Sequence, residues 1–338
     1  MTALNVVLPL CSSIVSFVFA GLVLDQWRQR RRSFQLVWTI GLLWYGISAG
    51  TEFVGAAFGW SEPLYRAWYL VGAFYVAAYL GMGTIYLLSR TSFGYFAGVT
   101  VFLGGLTSWL FSRLPAYQGA GRVGVAALAI ATLGAIGILI ATAVRRELAA
   151  HIAMTVLVIG SLAVAYMVLT ANVAAPGYAL AADTHVPVGS AYPGYLRVLT
   201  GPFNIAGALC LVFGAIYSAY VYMPKWKLLR ADAVRAPLLA QLWYVAVVAV
   251  NLVASLPRAV TRLFTRELNS RVPATILIAV GGFIPGVTSG LNRFGVTWSF
   301  FLGELLGVVL IFIGFLVSED VFANLRLYAA RRRTLEAG

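Results

Sequence analysis

The stretch LLAQLWYVAVVAVNLVASLPRAVTRLFTRELNSR, Leu238 to Arg271, decides the topology of the whole chain. Leu238 to Leu256 is apolar enough to cross a bilayer, yet Pro257 interrupts the run. Beyond it Arg258, Arg262 and Arg266 recur every fourth residue, which puts them on one helical face. Leu263, Phe264 and Leu268 lie among them, the pattern of a basic helix lying in the membrane interface. If the stretch does not cross, only Arg66, Arg113, Arg122, Arg197 and Arg293 of the 24 basic residues fall outside the cytoplasm. If it crosses once, the C-terminal arginines move outside as well and the two sides become equal. Cytoplasmic loops hold the excess of Lys and Arg. The expectation is therefore a re-entrant or interfacial segment with an even number of crossings.

Composition supplies the frame. Of 338 residues 61% are hydrophobic and only 10% charged, with a mean hydropathy of +0.88. A soluble domain carries roughly 25% charged residues. A chain this poor in charge needs the bilayer as its solvent. The apolar runs are continuous over about twenty residues, which suits helices, not the strands of about ten residues that build barrels. The net charge of +13 comes from basic residues set between spans, so no nucleic-acid partner is expected. The partners expected are the bilayer itself and anionic lipids, met on the cytoplasmic face through Arg258, Arg262 and Arg266.

The first run, Asn5 to Leu24, has no basic residue before it and is followed by Arg28, Arg30, Arg31 and Arg32. A cleavable signal peptide has the opposite polarity. This predicts a retained span with its N-terminus outside. Further spans are read at Phe34–Phe58, Leu64–Leu88, Phe93–Phe111, Val123–Val144, Ile152–Val173, Gly201–Tyr222, Pro273–Leu291 and Trp298–Val317. The fold expected is an all-α polytopic transmembrane bundle of about nine spans plus the re-entrant or interfacial segment. It divides into a seven-span part (1–222), a basic segment (223–271) and a two-span hairpin with a short basic tail (272–338). The C-terminus then lies in the cytoplasm, and the site of action is a bacterial inner membrane. The loop from Ala174 to Thr200, rich in Pro and Gly, is expected to fold partly over the outer mouth.

Two acids sit inside spans. Glu52 and Glu304 each lie about six residues below the outer end of their helices, so both fall ~9 Å beneath the outer surface. An ionisable group at that depth is costly and is a functional candidate by default. Tyr45 and Ser48 share the helical face of Glu52. Asn204, Arg66 and Arg293 lie on the same side. These residues support two readings. In one, Glu52, Ser48, Tyr45, Arg66, Asn204, Arg293 and Glu304 form an outward-facing pocket for a cation, a proton or a small polar ligand. In the other, the acids form structural salt bridges, Glu52 with Arg66 and Glu304 with Arg293.

Other features carry less. Gly94/Gly98, Gly286/Gly290 and Gly303/Gly307 are small residues four apart, read as packing within the bundle, with a homodimer as the lesser use. Tyr65, Trp68, Tyr69, Tyr75, Tyr79 and Tyr86 form a stripe on the third span, read as packing into the bundle. His151 and His185 have no second ligand at metal spacing, and no cofactor is expected. No Walker loop, GxSxG or HExxH occurs, and no lysine lies within a span, so an enzyme or a rhodopsin is not expected.

The stretch Phe34 to Arg90, with Trp44, Tyr45, Glu52 and the span from Trp68 to Tyr86, resembles the multi-helix membrane sensor regions of bacterial histidine kinases. The chain has no phosphoacceptor or ATP-binding domain, so the resemblance implies no kinase activity. Gly281-Gly282-Phe283-Ile284-Pro285 and Gly290-Leu291-Asn292-Arg293-Phe294-Gly295 resemble polytopic bacterial inner-membrane proteins of no assigned function. The function read from the residues is a carrier or channel for an ion or small polar solute. The alternative is a non-enzymatic sensor or scaffold module that binds a ligand, lipid or partner protein.

Overall fold

A computed structural model of the protein describes residues 3–231, 237–264, 269 and 271–317. It is 82% helical and, among the described residues, has no strands. Among the described residues the chain forms ten long rods: α1 (Ala3–Arg30), α2 (Ser33–Phe58), α3 (Glu62–Leu70) continued by α4 (Val76–Leu87), α5 (Gly94–Phe111), α6 (Gly121–Val144), α7 (Arg146–Thr170), α8 (Gly194–Val198) continued by α9 (Ala206–Tyr222), α10 (Pro237–Phe264), α11 (Arg271–Arg293) and α12 (Phe300–Val317). Two of the rods contain a π-helical turn, Val71–Tyr75 between α3 and α4 and Gly201–Ile205 between α8 and α9.

By length and composition nine rods suffice to cross a membrane, α10 included. The rod outside that set is α2, and the reason lies in its residues. Gln35, Thr39, Ser48 and Glu52 lower its apolarity, and all four are buried inside the bundle, with α1 on one side and α4 on the other. A helix that turns its polar side chains inward needs less apolar surface for lipid.

The rods alternate between two ends. At one end Asn5 at the start of α1 bonds the backbone of Thr184, Arg66 in α3 bonds the carbonyls closing α7, and Arg293 closing α11 bonds Thr200. At the other, Gln35 bonds Gln26 across the α1–α2 junction, and Arg90 pairs with Glu147 across the α4–α5 and α6–α7 junctions. Among the described basic residues only Arg66, Arg113, Arg122, Arg197 and Arg293 lie at the first end, the pocket end. The others gather at the second, the basic end.

α10 does not run between the two ends. Trp243 bonds the carbonyl of Arg230, Asn251 bonds the backbone of Leu228 and Leu229, and Ser255 accepts from the backbone N–H of Trp226. Arg258 stacks over the Trp226 ring at 4.4 Å, and Tyr244 meets Tyr217 near the end of α9. From Trp243 to Arg258 the helix thus stays against one short loop at the basic end. The chain also leaves and re-enters the bundle at one level, because Arg271 at the start of α11 bonds the Tyr222 hydroxyl at the end of α9, at 2.6 Å. An odd number of crossings between those residues is excluded by that bond. The segment is one unbroken helix, so the re-entrant form, a pair of half-passes, is corrected: Pro257 sits within the helix without dividing it. What remains is a helix laid across the basic end. Arg266 and the C-terminal basic tail lie outside the described residues.

Small residues set the close crossings. Gly81 of α4 and Gly207 of α9 face each other so closely that a Cβ on either would strike backbone. Gly94 and Gly98 abut Thr142 and Leu139 of α6, and Gly303 and Gly307 abut Thr288 and Pro285 of α11. Gly286 and Gly290, in contrast, face open space. Without water to drive association, such approaches supply dispersion contacts that bulkier residues would forbid. The aromatic stripe of α3–α4 packs inward as its sequence pattern implies. Tyr75 donates to the Ser161 carbonyl, and Tyr65 and Tyr69 stack on Tyr192.

Cysteines placed at Leu239 and Val260, both exposed on α10 and 21 residues apart, test its path. A crossing helix would separate them by ~32 Å and put them on opposite sides. The expected result is that an impermeant maleimide labels both from the same side of the membrane and neither from the other.

Candidate functional site

The site begins with a turn of α2. Ser48 and Glu52 stand one turn apart on its inward face, and Glu52 is fully buried. α2 ends at Gly59 with φ +98°, a conformation glycine tolerates at a helix C-terminus. The chain then reverses through Trp60, whose ring packs on Gly55, and α3 starts at Glu62 with Pro63 in its first turn. This tight return brings Trp68 level with Glu52. The Trp68 indole Nε1 donates to Glu52 Oε1 at 2.7 Å.

α12 supplies the second acid. Tyr45, two turns before Glu52, donates its hydroxyl to the backbone carbonyl of Glu304 at 2.7 Å and fixes α12 against α2. The Glu304 carboxyl then lies within hydrogen-bonding reach of the Glu52 carboxyl. Oε2 of each acid is buried and meets no donor. Two carboxylates in contact repel, and one proton or one bound cation between them removes the repulsion. Among the described residues neither acid forms an ion pair with an arginine.

The pair forms the base of a cavity of about 410 Å³ lined by Ser48, Trp68, Tyr69, Gly72, Asn204, Ser289, Asn292 and Thr297 together with the two acids. Arg197, Arg293, Tyr117 and Asp183 also line it. The loop after α7 closes over it as its composition suggests. Thr184 meets Thr297 at 2.5 Å, Asn292 donates to the Pro187 carbonyl, and Tyr65 donates to the Val188 carbonyl. Asp183, on this loop, is exposed. Both arginines are held in place: Arg197 bonds the Ala116 carbonyl and stacks on Tyr117 at 4.4 Å, and Arg293 bonds Thr200 Oγ1.

Both π turns border this cavity. Gly72 and Ala73 come from one, and Asn204 from the other. Phe74 and Phe203 pack edge to face between them at 5.4 Å. A π turn adds a residue to the helix and rotates the turns after it, a device concentrated at functional sites. At Gly72 a Cβ would collide with the Ser48 hydroxyl, so glycine is required for α2 and the π turn to meet.

Of the residues singled out from the sequence, Glu52, Ser48, Asn204, Arg293 and Glu304 line the cavity. Tyr45 is adjacent, below the acids. Arg66 is not part of it, and this corrects the expectation. Its guanidinium pairs with Glu62 and bonds the carbonyls of Val168, Leu169 and Ala171, tying α3 to the end of α7. The salt bridges Glu52–Arg66 and Glu304–Arg293 are likewise not formed, because both arginines are engaged elsewhere. Trp68, Asp183, Arg197, Ser289 and Asn292 went unmarked as site residues. Trp68 had a signal, its place in the aromatic stripe at the depth of Glu52. Among the described residues no group of three or more His, Cys, Asp or Glu is gathered as a metal site needs.

No protein-family model matches the chain, and no curated protein or solved structure is detectably similar to it.

If the acids were structural, removing one would destabilise the bundle. The geometry predicts the reverse. Glu52→Gln keeps an acceptor for Trp68 and gives Glu304 a donor, so thermal unfolding in detergent should be unchanged or slightly later. Arg66→Ala strips four acceptors of a charged partner and should cost about 2 kcal/mol or more.

Proposed function

We propose that the protein is a carrier for a cation or small amine, exchanged against a proton at the Glu52–Glu304 pair. The observation that carries this reading is the pair itself: two buried carboxyl groups lining one polar cavity, neither ion-paired with an arginine among the described residues. A buried acid kept for stability would be expected beside a guanidinium. A pair that must bind either a proton or a cation is a device for coupling one to the other. Trp68 and Tyr69 also line the cavity, and aromatic rings attract ammonium groups. Read with the positive-inside rule, the basic end is cytoplasmic, the cavity opens outward, and the N-terminus lies outside in a bacterial inner membrane. In the same reading α10 lies on the cytoplasmic leaflet, with Arg258 and Arg262 toward anionic head groups.

One observation favours a second reading, a ligand sensor. α10 exposes Leu239, Val253 and Val260 at the basic end, an apolar surface that a partner helix would cover.

Proteoliposomes with an imposed proton gradient separate the two. The carrier reading expects amine or cation uptake that falls at least about tenfold in Glu52→Gln and in Glu304→Gln. Ligand binding without uptake in the native chain would favour the sensor. Uptake unaffected by both substitutions would remove the pair from the mechanism.

A further inference from the structure

Below the acids the cavity continues. A narrower space of about 80 Å³, lined by Tyr45, Ser48, Ser289 and Glu304, leads away from the mouth. It shares Asn204, Ala208, Gly282 and Gly286 with a third space of about 680 Å³ between α9, α10 and α11. That third space is a groove. It runs from Asn204 and Val287 near the pocket end to Met223, Leu256 and Ile276 at the basic end. Apart from Asn204 its lining is apolar. From residue 204 to 223 helix α9 rises ~28 Å, close to the full hydrocarbon thickness of a bilayer.

The doorway between groove and acids is made by the face of α11 that lacks side chains. Gly282 and Gly286 stand on it, with Pro285 beside them. A Cβ at Gly286 would meet nothing within 4 Å. A Cβ at Gly282 would touch Leu211 of α9, so the opening is at Gly286, which lines the same narrow space as Glu304.

We propose that the ligand is a cationic amphiphile: an ammonium head seated on the Glu52–Glu304 pair and a hydrocarbon tail leaving between α9 and α11 into the groove. The inference rests on the pair being a cation site and adds the substrate class. An ammonium group brings several N–H donors to oxygens that have none. An anionic lipid head would meet the two carboxyls and be repelled. A water-soluble solute would use the polar mouth and gain nothing from an apolar side door, whereas a molecule with a tail enters from the bilayer without drawing that tail through water.

The test uses the full-length protein in nanodiscs of zwitterionic phospholipid, with labelled dodecylammonium and ethylammonium as probes at matched bilayer-corrected concentrations. Gly286→Leu fills the doorway from a position with open space, and leucine is a good helix former, so the bundle should fold. Gly286→Ala leaves most of the opening and serves as its control. The expected result is that Gly286→Leu weakens dodecylammonium about tenfold or more while ethylammonium changes by less than about twofold. Gly286→Ala should bind both probes as the native chain does, and Glu304→Gln should weaken both. If Gly286→Leu leaves dodecylammonium unchanged, the groove holds bulk phospholipid only and the proposal is wrong, while the pair remains a cation site. If neither amine binds the native protein, the cation-site reading falls together with it.

Discussion

Two carboxyl groups lie close together in the interior of a bundle built for lipid, and among the described residues neither is ion-paired with an arginine, although Arg197 and Arg293 line the same cavity. Charge in such surroundings is expensive, and like charges in contact are more so. Much of the arrangement around the pair stems from that constraint. Trp68 gives Glu52 one neutral donor, which orients the carboxyl without cancelling its charge. Tyr45 bonds the Glu304 backbone and leaves its carboxyl alone. Arg66, Arg197 and Arg293 are each held by carbonyl or hydroxyl oxygens at the pocket end, away from ion pairing with the acids. The site is thus kept short of one positive charge, and an incoming proton or cation supplies it.

The helices that carry the pair are held by contacts requiring almost no side-chain volume. Gly72 admits Ser48, and Gly81 admits Gly207. Where two helices meet through backbone, the π turns adjust the rotation of each so that Asn204 and Gly72 border one cavity. Small residues therefore have two uses here. Most close the bundle. Gly286 opens it, and the same property, the missing side chain, serves both ends.

Much of this architecture is legible in the sequence. Apolar runs of helical length, bounded by arginines, identify nine of the ten rods, and the arginine asymmetry identifies the tenth as different in kind. The Arg271–Tyr222 bond is the physical counterpart of that asymmetry. The common depth of Glu52 and Glu304 also came from counting residues below each helix end, and their meeting needed only that α2 and α12 be neighbours. Arg66 was misassigned because sequence gives its level and not its direction. Four residues after Glu62 and level with the end of α7, it had nearer oxygens to serve than Glu52. Asp183 was hidden because a loop has no periodicity from which to read an inward face, and Arg197 because the one-turn helix α8 lies within the stretch read as loop. The π turns have no sequence signature at all, since they arise from how two packed helices accommodate each other.

The claim on which the rest hangs is that the two acids act as one unit. Dicyclohexylcarbodiimide reacts with protonated carboxyl groups in apolar surroundings, and peptide mass spectrometry locates its adducts. One adduct per chain is expected, on Glu52 or on Glu304 and never on both, lost when an amine ligand is present. Two adducts in the same chain, or a Glu304 whose reactivity is indifferent to Glu52→Gln, would contradict it.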